Sequence, residues 1–187
     1  MQRLVVLAWG NESLGDDGLG PAFLEHAEAL GDPPGVETTF VADFQLQPEH
    51  ALDLDGRGLA LFVDASLTAA APFTFRRIEA ARTATFSTHG VAPGVVLAAF
   101  VSTFGRAAPP VYELAIRGEA FALGTPLGAA ARVHLDAALD FFAELRRDPT
   151  DRAWREAQDR AAARGADADA RRPAQRRHSS GETSRTR

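Results

Sequence analysis

Two uninterrupted apolar runs constrain the fold more than any other feature of this sequence. Residues 4–9 read Leu-Val-Val-Leu-Ala-Trp, and residues 59–64 read Leu-Ala-Leu-Phe-Val-Asp. Both runs have the length of a strand, and Gly10-Asn11 follows the first of them. A strand that is apolar on both faces is typical of a parallel sheet that helices cover on both sides.

Helical patterns alternate with strand-like segments along the chain. Apolar residues recur at helical spacing from Leu19 to Leu30, Pro93 begins a second helix that Gly105 ends, and residues 129–145 form a third. Further segments predict strands at 36–41, 73–78 and 111–116, a continuation of the sheet at 83–86 and a short helix at 48–54. This order predicts an α/β fold: a three-layer sandwich with a twisted, mostly parallel central sheet of about five strands and helices on both faces.

Composition narrows the class of protein. The 187 residues contain no cysteine, which excludes a disulfide framework, a thiol nucleophile and a cysteine-based metal site, and which fits a cytoplasmic protein. We expect no signal peptide and no membrane span, because no apolar run approaches about 18 residues. Residues 1–147 hold 10 Arg against 18 acidic residues, so nucleic acid is not the expected partner.

The character of the chain changes after residue 147. We expect residues 1–147 to form the α/β domain and residues 148–187 to be an extension with 10 Arg and 7 acidic residues. Residues 150–164 favour a polar helix whose only large apolar side chain is Trp154. From Gly165 onward almost nothing is available for burial, so we expect an Arg-rich disordered tail.

Polar residues cluster where ligands gather in such a sheet, beyond the carboxyl ends of its strands. The clusters are residues 10–20 after the first strand, residues 64–66 after the third and residues 87–90 before the second long helix. The glycines of the first cluster have neither the dinucleotide nor the P-loop spacing, and adjacent Asp16 and Asp17 would repel a phosphate. A cation fits these carboxylates better.

Asp17, Asp64 and His89 together offer two oxygen ligands and one nitrogen ligand. Such a set suits zinc, nickel or cadmium better than magnesium. Each residue also has a simpler interpretation, since Asp17 fits a helix start, Asp64 a strand end and His89 a loop contact. A Ser87–His89–Asp64 nucleophilic arrangement is a further, less favoured alternative. Asp43, Gln45 and Gln47 follow the second strand and are candidate substrate contacts, although Gln47-Pro48-Glu49 also fits a plain helix start.

Five segments in order resemble the hydrogenase maturation proteases, which process the large subunit of nickel–iron hydrogenases. The match spans residues 3–145, and its segments are 4–11 with 14–21, 43–51, 61–66, 87–90 with Pro93, and 112–118 with 124–127. Two features depart from the family pattern: Ala8-Trp9 replaces a smaller glycine-containing pair, and the first metal position is Asp17 instead of the Glu of some members.

The resemblance implies an aspartic-type endopeptidase that removes a C-terminal extension from the large-subunit precursor after nickel insertion. The metal-contacting and catalytic positions of the family fall on Asp17, Asp64 and His89, with loop support from Gly10, Asn11, Asp16, Gly18 and Gly90. Nickel would arrive with the substrate, zinc or cadmium can substitute, and no organic cofactor is implied. The expected protein is a cytoplasmic monomer. Two other functions stay open, a metal-assisted hydrolase of a small molecule and a non-catalytic nickel-binding or hydrogenase-docking module.

Overall fold

A computed structural model describes residues 1–81, 86–87 and 90–170 of the chain. Its strands and helices are β1 (Gln2–Trp9), α1 (Leu19–Ala29), β2 (Val36–Asp43), β3 (Leu59–Ser66), β4 (Phe73–Ile78), β5 (Phe86–Ser87), β6 (Gly90–Val91), α2 (Pro93–Phe104), β7 (Val111–Arg117), α3 (Ala129–Leu145) and α4 (Asp151–Ala170). Two 3-10 helices, Gly15–Gly18 and Pro48–Leu54, lie in the loops after β1 and β2.

The central sheet has five strands in the order β2-β1-β3-β7-β4. The first four run parallel, and β4 pairs antiparallel with β7 at one edge. This arrangement confirms the predicted mostly parallel sheet. The expectation that residues 83–86 continue it is wrong where the structure describes them, because Phe86 pairs with Val91 in a separate two-stranded ribbon. Residues 82–85 lie outside the described residues.

Both faces of the sheet are covered, as the apolar runs predict. In β1, Leu4, Val6 and Ala8 pack with α1, α3 and α4, whereas Val5, Leu7 and Trp9 pack on the other face with α2 and the 3-10 helix Pro48–Leu54. Alternate residues of a strand point to opposite faces, so a continuous apolar run is buried on both. The result is the predicted three-layer sandwich.

Helix α4 belongs to this core. Trp154 is fully buried, and its ring lies edge-on to Phe75 of β4 and Tyr112 of β7 at centroid distances of 5.8 and 5.3 Å. The helix expected over 150–164 therefore exists, runs on to Ala170 and completes the hydrophobic core of residues 1–147. Disorder is expected from Gly165 onward, but the residues up to Ala170 are helical. Residues 171–187 lie outside the described residues.

The parallel strands place four loops at one edge of the sheet. The chain leaves β1, β2, β3 and β7 at this carboxyl edge, and hydrogen bonds tie the loops together: Gly10 N–H donates to the Asp43 carbonyl, and Gly118 N–H to the Ser66 carbonyl. Within the described part of the chain, no helix is both long and apolar enough to cross a membrane.

Candidate active site at the carboxyl edge of the sheet

A tight turn after β1 fixes the position of Asp17. Gly10 has φ +145°, and a Cβ atom there would lie 2.0 Å from the Asp17 carbonyl oxygen, so the turn requires glycine. The Asn11 N–H donates to Asp17 Oδ2 at 2.8 Å, and the Ser13 N–H donates to Asn11 Oδ1 at 2.9 Å. The loop thus binds one oxygen of the half-buried Asp17 carboxylate and holds it at the strand end.

Asp16 connects this turn to the loop that follows β7. Its side chain is 1% exposed, and it accepts hydrogen bonds from the N–H groups of Glu119, Ala120 and Gly128 at 2.7–2.9 Å. Burial opposes ionisation, but the three N–H donors outweigh it and hold the pKa of Asp16 below its usual value. Asp16 therefore joins the loop after β1 to the loop after β7 by hydrogen bonds. Asp17, its neighbour, is not used in these contacts.

Asp64 lies near the end of β3, beside Ala115 of β7 in the sheet register. Burial raises the pKa of its carboxyl to about 7; the Ala65 N–H and the Trp9 side chain lower it, and the negative charges of Asp17 and Glu113 raise it further. The 3-10 helix that carries Asp17 contacts β3, so the two carboxylates lie in the same part of the sheet edge. A bound cation stabilises the ionised form of such a carboxyl pair, so the two residues fit a divalent ion.

The third candidate, His89, lies outside the described residues, as does the side chain of Ser87. Neither the Asp17–Asp64–His89 set nor the Ser87–His89–Asp64 arrangement is therefore tested. Among the residues that the structure describes, no group of three His, Cys, Asp or Glu side chains forms a metal site. Gly90 lies in β6. Gly18 ends the 3-10 helix, and a Cβ atom there would lie 3.1 Å from Glu12 Cα.

A second carboxylate group lies beside the β1 turn. Asp43 ends β2 in register with Trp9, the Phe44 N–H donates to its Oδ1 at 2.6 Å, and Nε2 of the buried His50 is 3.3 Å from its Oδ2. Because His50 Nδ1 accepts the Gln47 N–H at 2.9 Å, the ring proton lies on Nε2, the nitrogen that faces Asp43. Sequence reasoning missed His50, and the only available signal was its place three residues after the helix-starting Gln47.

The three candidate substrate contacts differ in their surroundings. Asp43 forms part of an open groove of about 450 Å³, which residues 10–13, Pro21 and residues 42–44 line. Gln45 is exposed beside it. Gln47 begins the 3-10 helix Pro48–Leu54, the plainer of its two predicted interpretations.

Asp64 opens into a different cleft, on the face of the sheet that carries α2. This cleft has a volume of about 360 Å³ and includes Ser66, Thr74, Arg76, Glu113 and Ala115. The carboxyl edge therefore carries two open clefts: Asp64 lines one, and the other is lined by Asn11, whose N–H binds Asp17. In an α/β protein this edge of the sheet is where ligands gather.

Solved structures with the same fold are hydrogenase maturation proteases. The chain is similar to the [NiFe] hydrogenase maturation protease HycI from Thermococcus kodakarensis, with a TM-score of 0.61 and 18% identity over 79% of this chain and 94% of that one. It is similar to the hydrogenase maturating endopeptidase HybD from E. coli, with a TM-score of 0.60 and 22% identity over 78% and 93%.

A third similar structure, a hydrogenase 2 maturation peptidase from a Thaumarchaeota archaeon, has a TM-score of 0.54 and 20% identity over 76% of this chain and 97% of that one. No family model and no curated protein sequence matches the chain. The chain therefore has the fold of the hydrogenase maturation proteases over nearly their whole length. The resemblance noted in the sequence points to the same fold.

Proposed function

We propose that this protein is an endopeptidase that removes the C-terminal extension of a nickel–iron hydrogenase large-subunit precursor after nickel insertion. The observation that carries the proposal is the placement of Asp17 and Asp64 at the carboxyl ends of the neighbouring strands β1 and β3, where the 3-10 helix that carries Asp17 contacts β3. The shared fold of the named maturation proteases supports it. The protein would act in the cytoplasm as a monomer, on a protein client and without nucleic acid.

Nickel is part of the substrate in this proposal. Asp17, Asp64 and His89 would contact the nickel that the precursor carries, with zinc or cadmium able to replace it and no organic cofactor required. A divalent ion at this place polarises a carbonyl or lowers the pKa of a water molecule. The backbone positions the two carboxylates that would hold that ion: the Asn11 N–H binds Asp17, and the Ala65 N–H binds Asp64.

The surface around the site favours a protein substrate over a small molecule. Three large apolar side chains are exposed in the loops after β2, β3 and β7, namely Phe44 at 72%, Leu67 at 57% and Leu123 at 77%. Hydrogen bonds from Gly124 N–H to the Ser13 carbonyl and from Gly118 N–H to the Ser66 carbonyl join these loops beside the site. Exposed apolar side chains in loops of the same sheet edge offer a protein substrate apolar surface to cover, which a small molecule would not need.

The test of the proposal is incubation with nickel-loaded and nickel-free precursor, followed by the mass of the large subunit. We expect cleavage of the loaded precursor only, and we expect Asp17→Asn to abolish it. Asp136→Asn, which changes an exposed carboxylate on α3, is the matched control and should cleave normally.

Other outcomes would contradict the proposal. Normal cleavage by Asp17→Asn or by Asp64→Asn would remove the two carboxylates from the mechanism. Nickel binding without any cleavage by the wild-type protein would favour the non-catalytic module instead. Hydrolysis of small esters or amides in the absence of precursor would favour the small-molecule hydrolase.

A further inference from the structure

The cleft next to Asp64 is built from rows of side chains across three strands. Asp64 of β3, Ala115 of β7 and Thr74 of β4 form one row, and Phe62, Glu113 and Arg76 form the neighbouring row. The side chains of both rows point to the α2 face, because each strand contributes residues of a single parity. The small Ala115 forms the floor, so the space above it is open between Asp64, Glu113 and Arg76.

An ion pair with unequal exposure forms the far wall of this cleft. Arg76 Nε and Nη2 both contact Glu113 Oε2 at 2.6 Å. The Glu113 side chain is 12% exposed, whereas the Arg76 side chain is 62% exposed. The anionic partner is therefore buried, and the part of the pair that substrate can reach is the guanidinium.

Among the residues that the structure describes, Glu113 is the one hydrogen-bond partner of the Arg76 side chain, which leaves further donors for a ligand. A guanidinium has five N–H donors in a planar fork; the Arg76 Nε–H donates to Glu113 Oε2, and Nη2 lies within ion-pair distance of the same oxygen. The pairing fixes the orientation of the side chain, so little further entropy is lost when a ligand binds. The natural partner of a planar, pre-oriented guanidinium is a carboxylate.

We infer that this cleft is a subsite for a carboxylate of the substrate peptide, which Arg76 binds while Glu113 holds Arg76 in place. This inference deepens the proposed function and rests on it for the identity of the substrate. Strand β4 lies two strand spacings away from Asp64 on β3, a distance of roughly 10 Å. An extended peptide covers this distance in about three residues. The carboxylate is therefore an acidic side chain or a free C terminus within about three residues of the bond near Asp64.

Binding of short peptides tests the subsite without any cleavage. The probes are acetyl-Ala-Ala-Glu-amide, acetyl-Ala-Ala-Ala with a free C terminus, and the neutral acetyl-Ala-Ala-Gln-amide, titrated into the full chain and followed by NMR. We expect at least one carboxylate probe to bind about tenfold or more tightly than the neutral probe, since a charge-assisted hydrogen bond has that effect. The probe that binds identifies the source of the carboxylate.

The decisive variant is the neutral pair Arg76→Gln/Glu113→Gln, which removes the guanidinium without leaving Glu113 buried and unpaired. We expect it to lose the preference for carboxylate. The matched control is Arg106→Gln/Asp55→Asn, which neutralises an ion pair whose side chains are 52% and 49% exposed and which lies away from the cleft. We expect the control to retain the preference.

Equal binding of all three probes, or a carboxylate preference that survives in the neutral pair, would overturn the inference. If the neutral pair does not fold, Arg76→Lys keeps the charge but loses the fork, and unchanged affinity in that variant would also overturn it. Failure of the proposed function would be distinguishable from failure of this inference. In that case the wild-type protein would bind the carboxylate probe but would not cleave the precursor.

Discussion

Asp16 and Asp17 are adjacent carboxylates with different physical environments. Asp16 is enclosed by three N–H donors of the loop after β7, whereas Asp17 is half-buried and accepts one N–H, from Asn11. Successive residues of a 3-10 helix point about 120° apart, so Asp16 and Asp17 face different sides of the turn. The structural contribution and the chemical contribution of this pair are therefore separable by mutation.

Asp16→Asn should destabilise the protein. An amide has one acceptor oxygen, so its NH₂ group would face at least one of the N–H donors that now point at a carboxylate, and a buried donor would be left without a partner. We expect the free energy of unfolding to fall by about 2–4 kcal/mol. Urea unfolding measures it, with Asp136→Asn as the control, and a change below about 1 kcal/mol would contradict the role of Asp16 as a brace.

Asp17→Asn should leave stability nearly unchanged and abolish precursor cleavage. The Asn11 N–H can still donate to the amide oxygen, so the turn survives, and we expect a change in unfolding free energy of less than about 1 kcal/mol. The negative charge that would hold the ion is lost. Parallel unfolding and cleavage measurements on one preparation decide the matter, and a large loss of stability would show that Asp17 also supports the turn.

The sequence placed both aspartates at the sheet edge but did not distinguish their contributions. The partners of Asp16 lie more than 100 positions away, at Glu119, Ala120 and Gly128. Local patterns contain no information about such distant contacts. His50 was missed for a similar reason, because its contact with Asp43 depends on the path of the chain through the intervening 3-10 helix.

Helix α4 is held to the sheet by one large side chain and one polar network. Trp154 is buried against Phe75 and Tyr112, and its indole N–H donates to the Leu145 carbonyl at 3.0 Å. The Tyr112 hydroxyl donates to Asp151 Oδ1 at 2.7 Å at the start of the helix. A single tryptophan in a polar helix has no apolar periodicity, so the sequence predicted the helix without its packing.

Trp154→Ala should destabilise the protein strongly. It removes the aromatic contacts with Phe75 and Tyr112 and leaves a cavity, and we expect a loss of about 3–5 kcal/mol in the free energy of unfolding. Trp154→Phe keeps most of the ring and should cost less. Denaturant unfolding of both variants checks this, and a loss below about 1 kcal/mol for Trp154→Ala would show that α4 does not contribute to the core.

The docking of α4 should also weaken in acid. Burial opposes the ionisation of Asp151, but the hydrogen bonds of Arg155 and Tyr112 and the charge of Arg77 outweigh it and keep its pKa below the usual value. A carboxyl with a lowered pKa in the folded state stabilises the protein above the unfolded pKa of about 3.9. This contribution declines as the pH falls through the folded pKa.

The unfolding free energy of the wild-type protein, measured by urea at pH values from about 6 to 3, should therefore fall more steeply than that of Asp151→Asn. Asp136→Asn is again the control, since its carboxylate is exposed on α3. Parallel curves for the wild type and Asp151→Asn would mean that the network around Asp151 contributes nothing.

At the scale of the whole molecule, the apolar runs were sufficient to predict the layer order. A strand such as β1, buried on both faces, requires a cover on each side, and that requirement alone excludes an open two-layer sheet. The half-exposed β4 was recognised from its alternation, because its Arg76 and Phe75 point to opposite faces. The ribbon of β5 and β6 was not, since a two-residue strand has too few side chains to form a pattern.

The exposed apolar side chains around the site provide the last prediction. If the client is a folded protein, Phe44, Leu67 and Leu123 contact its body, and a short peptide that spans the cut does not reach them. The triple variant Phe44→Ser/Leu67→Ser/Leu123→Ser should then lower kcat/KM for the precursor by about tenfold or more, because each buried apolar side chain contributes about 1.5–3 kcal/mol. Binding of the short carboxylate peptide, followed by NMR, should be unchanged, because a nickel-free peptide is expected to bind in the cleft without being cut.

The matched control is Leu30→Ser/Val133→Ser, which removes two apolar side chains that are 52% and 65% exposed and that lie at the end of α1 and in α3, outside the loops that follow the parallel strands. It should cleave the nickel-loaded precursor at the wild-type rate and bind the peptide as the wild type does. An equal loss in both variants would mean that apolar exposure acts only through solubility. An unchanged rate in the triple variant would mean that the client is recognised through its extension alone, and docking would then depend on the two clefts that flank Asp17 and Asp64.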